Sequence, residues 1–241
     1  DNGDYTLKKG SPCIDKGSNE YVKEENKTDL AGNPRIMGGT VDMGAYEASG
    51  EGVANKTWHV DDDQPDDTGD GRTWETAKKT IQAAINGAAN DDTILVNDGT
   101  YEPIDASNKA IAICSVNGAE KTIIDGGGVA RCATLGSDSQ RKATLEGFTL
   151  QNGYADKGGG ACSGTLRHCL VQNNNAKEGG GVYDCVVDNC VLANNSANKS
   201  GDDDYKSYGG GAYKSVLANC VLRGNLAEYY GGGACESELL N

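Results

Sequence analysis

The sequence predicts a parallel β-helix, a solenoid of short strands and turns, and three observations carry that prediction. A triple glycine beginning at Gly158 recurs at Gly179, Gly209 and Gly231, at intervals of 179 − 158 = 21, 209 − 179 = 30 and 231 − 209 = 22 residues. Cys169, Cys190 and Cys220 keep the same phase, and Phe148 holds it one repeat earlier. The repeat contains no helical stretch, and a unit of about 21 residues is too small to bury its own apolar face, so it must stack on its neighbours.

Each copy has the same order. Leu145, Leu166, Val187 and Leu217 come first, then Phe148 and the three cysteines, then Leu150, Val171, Leu192 and Leu222. The last two columns are two residues apart, the strand period, while the gap of three before them implies a bend between two short strands. Polar corners follow at Asn173-Asn174 and Asn194-Asn195, then an alanine (Ala155, Ala176, Ala197, Ala227), then the glycines. Asn and Gly tolerate left-handed backbone angles, so these are the places where the chain turns. Stacked coils would lie about 4.8 Å apart with strands pairing in parallel. A leucine-rich horseshoe has a similar period, but its Leu-x-x-Leu-x-Leu signature is absent. Leu170, Val191 and Val221 fall between the two inward columns, where Thr149 is their equivalent. They are therefore expected to form an outward apolar ladder that meets a partner, a candidate self-association surface.

Upstream, Thr80 to Ala89 places Ile81, Ala84, Ile85 and Ala88 at i, i+3, i+4 and i+7, the pattern of a short amphipathic helix. Thr93 to Val96, Asp98 to Tyr101, Ala110 to Ile113 and Thr122 to Gly128 read as strands and turns. A helix ahead of the first coil covers backbone groups that would otherwise lie unpaired, so residues 57–101 are expected to be the N-terminal cap of a β-helix spanning 57–241.

At WHVDDDQPDDTGDGRTWETAKKTIQAAI, DDTILVNDGTY, KTIIDGGG and LEGFTLQNGYADKGGG the chain resembles the right-handed parallel β-helix proteins of the pectate-lyase-like superfamily, above all large exported bacterial surface proteins. The resemblance implies an all-β fold, a right-handed coil and a place outside the cell. It names no substrate. DYTLKKGSPCIDKGSN and DLAGNPRIMGGTVDMGAYE, within Asp1 to Glu47, look like the segment that closes the solenoid after its last coil in such proteins. Here that segment comes first, joined by the small, polar linker Ala48 to Lys56. The final coil, Gly231 to Asn241, has no capping helix after it. Reaching its own last coil across roughly six coils, near 30 Å, takes almost the full extent of the linker. The expected partner is therefore the chain itself, head to tail.

Composition removes other partners. Lys+Arg 22 against Asp+Glu 36 gives a formal charge of -14 with no basic cluster, so phosphate contacts to nucleic acid are not expected. No apolar run approaches the roughly 18 residues of a membrane helix, so the chain is expected to be soluble without membrane insertion, any export signal lying outside it. Gly 35 without a three-residue period excludes collagen, and 37% apolar residues exclude disorder.

Three features bear on chemistry. Asp63, Asp66, Asp67 and Asp70 are candidate ligands for Ca²⁺, a hard cation that takes six to eight oxygens; the competing reading is a solvated turn whose carboxylates bond nearby backbone. Asp202, Asp203, Asp204, Tyr205 and Tyr208 lie in an insertion, since Ala197 to Gly209 spans 12 positions where the other copies span three. Insertions in solenoids project from one face, which makes this a candidate contact loop, the competing reading being a tolerated surface excursion. The nine cysteines are an odd number without a C-x-x-C motif and are expected to be buried thiols, with disulfides as the alternative if the protein is exported.

No catalytic set stands out. Arg167, Lys177, Lys199, Lys206, Lys214 and Arg223 form no column, the chain has two histidines, His59 and His168, and no paired acids stand in register across coils. The sequence therefore favours a structural module of a surface fibre, filament or adhesin-like stalk, the alternative being a carbohydrate-active or carbohydrate-binding β-helix with its site on the solenoid's side.

Overall fold

A computed structural model describes residues 11, 13, 16–23, 27–30, 32, 34–36, 41–46, 56–137, 140–141, 143–198 and 207–240. They belong to two compact units, Asp1–Asn55 and Lys56–Asn241.

The second unit is a right-handed parallel β-helix, the hand that crossovers between parallel strands of one sheet adopt. Its coils build four parallel sheets. The first runs through eight strands: Thr57–Val60, Thr93–Val96, Ala112–Ser115, Thr144–Glu146, Thr165–Arg167, Val186–Asp188, Val216–Ala218 and Glu238–Leu240. A six-stranded second sheet includes Thr149–Gln151, Leu170–Gln172, Val191–Ala193 and Val221–Arg223. The expected columns pair in register across coils, Leu145 with Leu166, Leu166 with Val187, and Val187 with Leu217.

Sequence periodicity shows two strands per coil, and the structure has four. The third sheet carries the alanine column in strands such as Tyr154–Lys157 and Asn175–Glu178, and the fourth, beyond the glycines, has strands of two residues such as Ala161–Cys162 and Val182–Tyr183. Two residues are too few to show an alternation. The corner between these sheets requires glycine: Gly179 has φ 62°, and a Cβ on Gly180 would lie 2.5 Å from the carbonyl oxygen of Gly210 in the next coil. The bends between the first and second sheets use His168, Asn189 and Asn219, all with positive φ.

The core is a stack of thin layers. Leu145, Phe148 and Leu150 are fully buried, as are Leu166, Val171, Val187 and Leu192, with Cys169 and Cys190 beneath Phe148 in one column. All nine cysteines are described and are thiols. A second column is polar: Asn174 Nδ2 donates to Asn195 Oδ1 and Asn195 Nδ2 to Asn225 Oδ1, each at 3.0 Å, while Asn174, Asn195 and Asn225 also donate from Nδ2 to Leu150 O, Val171 O and Leu192 O respectively. From the sequence, Asn173-Asn174 and Asn194-Asn195 are expected to be plain corners. In the structure the first of each pair turns the chain with positive φ and the second is buried as a rung of this amide ladder.

The N-terminal end is closed. The helix Ile81–Gly87, capped by Thr80 Oγ1 accepting from Ala83 N, turns Ile81, Ala84 and Ile85 onto the first coil. Trp58, 6% exposed, lies beneath, its Nε1 donating to Asp92 Oδ2 at 3.0 Å. The outer edge of Thr57–Val60 is paired as well: His59 N donates to Gly71 O, Lys78 N to His59 O and Asp61 N to Lys78 O. Among the described residues no helix is long and apolar enough to cross a membrane.

The described part of the first unit is a short 3-10 turn, Asn19–Tyr21, and a few backbone hydrogen bonds, among them Gly17 N to Val41 O and Met43 N to Cys13 O. Val41, Asp29 and Asp42 are its buried side chains among the described residues; Tyr21, Leu30, Ile36 and Met43 are exposed.

Candidate functional site

The side chains singled out from the sequence separate in the structure. In the acidic segment Asp66, Asp67 and Asp70 each accept from one backbone N–H and one threonine hydroxyl. Asp66 Oδ1 accepts from Thr68 N and Oγ1, Asp67 bonds the N–H and hydroxyl of Thr80 at 2.8 Å each, and Asp70 Oδ1 accepts from Arg72 N and Thr76 Oγ1. The hydrogen bonds from Thr68 hold Asp66 below the ordinary carboxylate pKa, and those from Thr76 and Arg72 do the same for Asp70. Asp63 is exposed. Among the described residues no three acidic, histidine or cysteine side chains converge as a metal site needs, so the carboxylates named for Ca²⁺ do not form one together.

Of the insertion, Asp202, Asp203, Asp204 and Tyr205 lie outside the described residues. Tyr208 is described, and it joins an aromatic stack the sequence reading did not contain. Its backbone bridges Glu178 and Tyr230 in parallel, and its ring stacks on Tyr230 (centroids 5.9 Å apart, 8° between planes) and on Tyr213 (5.7 Å, 19°), with Tyr183 tilted against Tyr213 at 5.8 Å. Lys157 Nζ donates to Tyr183 Oη at 3.3 Å, and Lys214 lies over the ring of Tyr213. Tyr183 and Tyr213 are buried over the glycine corners, whereas Tyr230 is 59% exposed. The interval 213 − 183 = 30 equals that of the glycines, so the column was visible in the spacing.

Leu170, Val191 and Val221 occupy one column of the second sheet, between the buried thiol column and the buried Leu150–Val171–Leu192 column. Leu170 and Val191 are half-buried and Val221 is 54% exposed. On the first sheet the outer column reads Cys114, Glu146, Arg167, Asp188 and Ala218, one cation between two acids. His168, at the bend, meets Glu146 at 3.4 Å and both are well exposed. A polar cleft of about 420 Å³ beside the helix, lined by Gln82, Asn86, Asp105 and Lys109, is laced by its own bonds: Gln82 Oε1 accepts from Asp105 N, and Lys109 Nζ donates to Ala88 O.

The last described coil is less covered than the coils before it. Glu238–Leu240, Val221–Arg223, Leu226–Ala227 and Ala234–Cys235 are each the last strand of their sheet, with no strand on the outer side among the described residues. Leu239 pairs with Leu217 and continues the inward column of Leu145, yet it is 63% exposed where Leu217 is 1% exposed. Leu226, Leu240, Val221, Tyr229 and Tyr230 are exposed around it, and Leu222, Cys220 and Ala234 are only partly covered.

Comparison with solved structures finds distant likenesses. The chain is similar to the pectate lyase Pel9A, with 12% identity over 68% of this chain and a TM-score of 0.41. It is also similar to the pectin methylesterase PemA from Erwinia chrysanthemi, with 14% identity over 72% of this chain and 68% of that one, at a TM-score of 0.36. A pectin methylesterase in complex with hexasaccharide VII aligns at 12% identity over 68% of this chain and 66% of that one, with a TM-score of 0.34. The chain spans about half, 47%, of the Pel9A chain. No protein-family profile and no curated protein matches the sequence.

Proposed function

We propose that the chain is an extracellular structural β-helix module, a segment of a surface fibre or adhesin-like stalk that lengthens by stacking copies end to end. The observation that carries this reading is the coil stack itself, in which strands pair in parallel from coil to coil and the inward column runs in register from Leu145 through Leu166, Val187 and Leu217 to Leu239, an architecture to which further coils add by the same contacts. Strand edges pair with added strands, and the apolar column supplies the driving force. A contact that adds coils end to end joins unlike surfaces, so it is heterologous. Heterologous contacts propagate into open polymers instead of closing as dimers. The resemblance to exported bacterial surface proteins supports the extracellular placement.

Light scattering across a concentration series tests the reading. The mass should rise with concentration, and Leu226→Lys with Leu239→Lys should hold the chain monomeric by placing two cations on the face. A chain that stays monomeric at millimolar concentration overturns it.

A further inference from the structure

A solenoid stacks equal positions of successive coils, so a residue type that recurs in one column meets itself. The core column that begins with Phe148 continues as Cys169 and Cys190, and Cys220 is packed against the same core one coil later. Register is fixed on both sides of the cysteines: Arg167 pairs with Asp188 and Leu170 with Val191, then Asp188 with Ala218 and Val191 with Val221. Three thiols therefore stand in a row, about 4.8 Å from one Cα to the next. A disulfide joins residues whose Cα atoms lie about 4.4–6.8 Å apart, and one coil step falls inside that window.

No other cysteine of the β-helix stands opposite a cysteine in the neighbouring coil. Cys162 pairs with Thr134 and Tyr183, Cys235 with Tyr213, and Cys114 with Leu95 and Glu146. Cys185 N donates to Ser215 Oγ, and Cys132 Sγ donates to Gln151 O.

Within the row the first pair is the more closely joined. Cys169 and Cys190 are both buried, Cys169 N donates to Cys190 Sγ at 3.2 Å, and a hydrogen bond with the Cys169 thiol, together with burial, pushes the Cys190 thiol up. Each thiol of the row also donates to the carbonyl two residues before it, Arg167 O, Asp188 O and Ala218 O, so all three hold one orientation. A buried thiol with a raised pKa is unreactive in the folded chain. Oxidation of such a pair belongs to folding, while water and oxidant still reach both sulfurs.

From this register we infer that Cys169 and Cys190 are joined by a disulfide when the chain folds in an oxidising compartment, tying two successive coils along the solenoid axis. Cys220 stays a thiol, because Cys190 has one sulfur to share. The setting rests on the extracellular placement proposed above; the pairing rests on the stacking alone. The oxidant is a small disulfide. One cysteine thiolate attacks it, forming a mixed disulfide and releasing one thiol, and the second cysteine then displaces the other half. One S–S bond forms as one breaks, and the oxidant takes both electrons and both protons and leaves as two thiols.

Disulfide mapping of the full-length chain tests this. The protein is reduced and denatured, refolded in a mixture of oxidised and reduced glutathione, blocked with iodoacetamide and digested without reductant for mass spectrometry. A second preparation, exported into the oxidising periplasm of a bacterial host, is mapped in the same way and needs no refolding. Both should yield one cross-linked peptide pair, Cys169 to Cys190, which dithiothreitol separates, with Cys220 alkylated. Cys220→Ser should leave the cross-link unchanged. Full alkylation of Cys169 and Cys190 in protein with the circular dichroism of the parent overturns the inference, as does a cross-link from Cys190 to Cys220 or between any other pair. Such a failure leaves the extracellular module standing, and a chain found to reside inside the cell removes the setting while the pairing read in glutathione remains.

Discussion

The first and the last described coils of the solenoid are made of the same kind of strand and differ in how they are covered. At the N-terminal end Trp58, the helix Ile81–Gly87 and the Gly71 and Lys78 backbone cover the first coil, and its side chains are as buried as those of the middle. At the C-terminal end Leu239 stands in the same column as Leu217 and is largely exposed. Burial in this fold is a property conferred by the next coil and not by the residue. Identical substitutions should therefore have unequal effects at the two ends.

The largest effect is expected at the closed end. Trp58→Ala removes a buried ring that Arg72 also covers, with its guanidinium carbon 3.8 Å from the ring centroid, and it leaves Asp92 without its indole donor. A loss of about 3–5 kcal/mol is expected, read as a lower denaturant midpoint. A loss under about 1 kcal/mol would mean that the cap contributes little to the solenoid.

The acid response of that end should be carried by Asp92. Burial opposes its charge, but hydrogen bonds from Trp58 Nε1, Ala89 N and Lys56 N prevail and leave its pKa below the ordinary carboxylate value. A depressed folded pKa means stability that is full above the unfolded value, about 3.9, and lost as pH falls through the folded one. Asp92→Asn should cost about 2 kcal/mol at pH 7 and flatten the stability profile below about pH 4, measured by urea melts at each pH. An unchanged acid slope would assign the acid sensitivity to other groups.

The amide ladder extends the comparison along the axis. Asn195 is fully buried and bonds rungs on both sides, whereas Asn225, one coil from the open end, is partly exposed. Asn195→Ala leaves buried partners of both neighbouring rungs unmatched and should cost about 2–3 kcal/mol; Asn225→Ala should cost about half that, because water reaches its neighbours. Equal losses would contradict the graded burial.

These residues also show what the sequence discloses. The intervals of glycine and cysteine reveal the coil, its length and the inward phase, because a solenoid forces every buried position to recur. The ladder Asn174, Asn195 and Asn225 recurs at the same intervals, 195 − 174 = 21 and 225 − 195 = 30. Asn is read as a turn former from its local preference, and only the stacked neighbour turns it into a core residue. The two-residue strands after the glycines are too short for a pattern. The acidic segment looks like a cation site in one dimension, and the fold spreads its carboxylates over separate backbone donors.

The smallest effect should come from the open end itself. Leu217→Ala deletes a side chain packed in the core and should cost about 2–5 kcal/mol. Leu239→Ala makes the same chemical change one step along the same column, where most of the side chain meets solvent, so in dilute, monomeric protein the loss should fall within about 0.5 kcal/mol. The contrast depends on concentration. If another copy covers the coil, Leu239 acquires the environment of Leu217, and the variant should lose stability relative to the parent as protein is added. Thermal melts of both chains over a hundredfold concentration range would read this directly. A difference that stays constant across the range would show that the last coil receives no cover from its own kind, and the likeness between Leu217 and Leu239 would then end at their shared register.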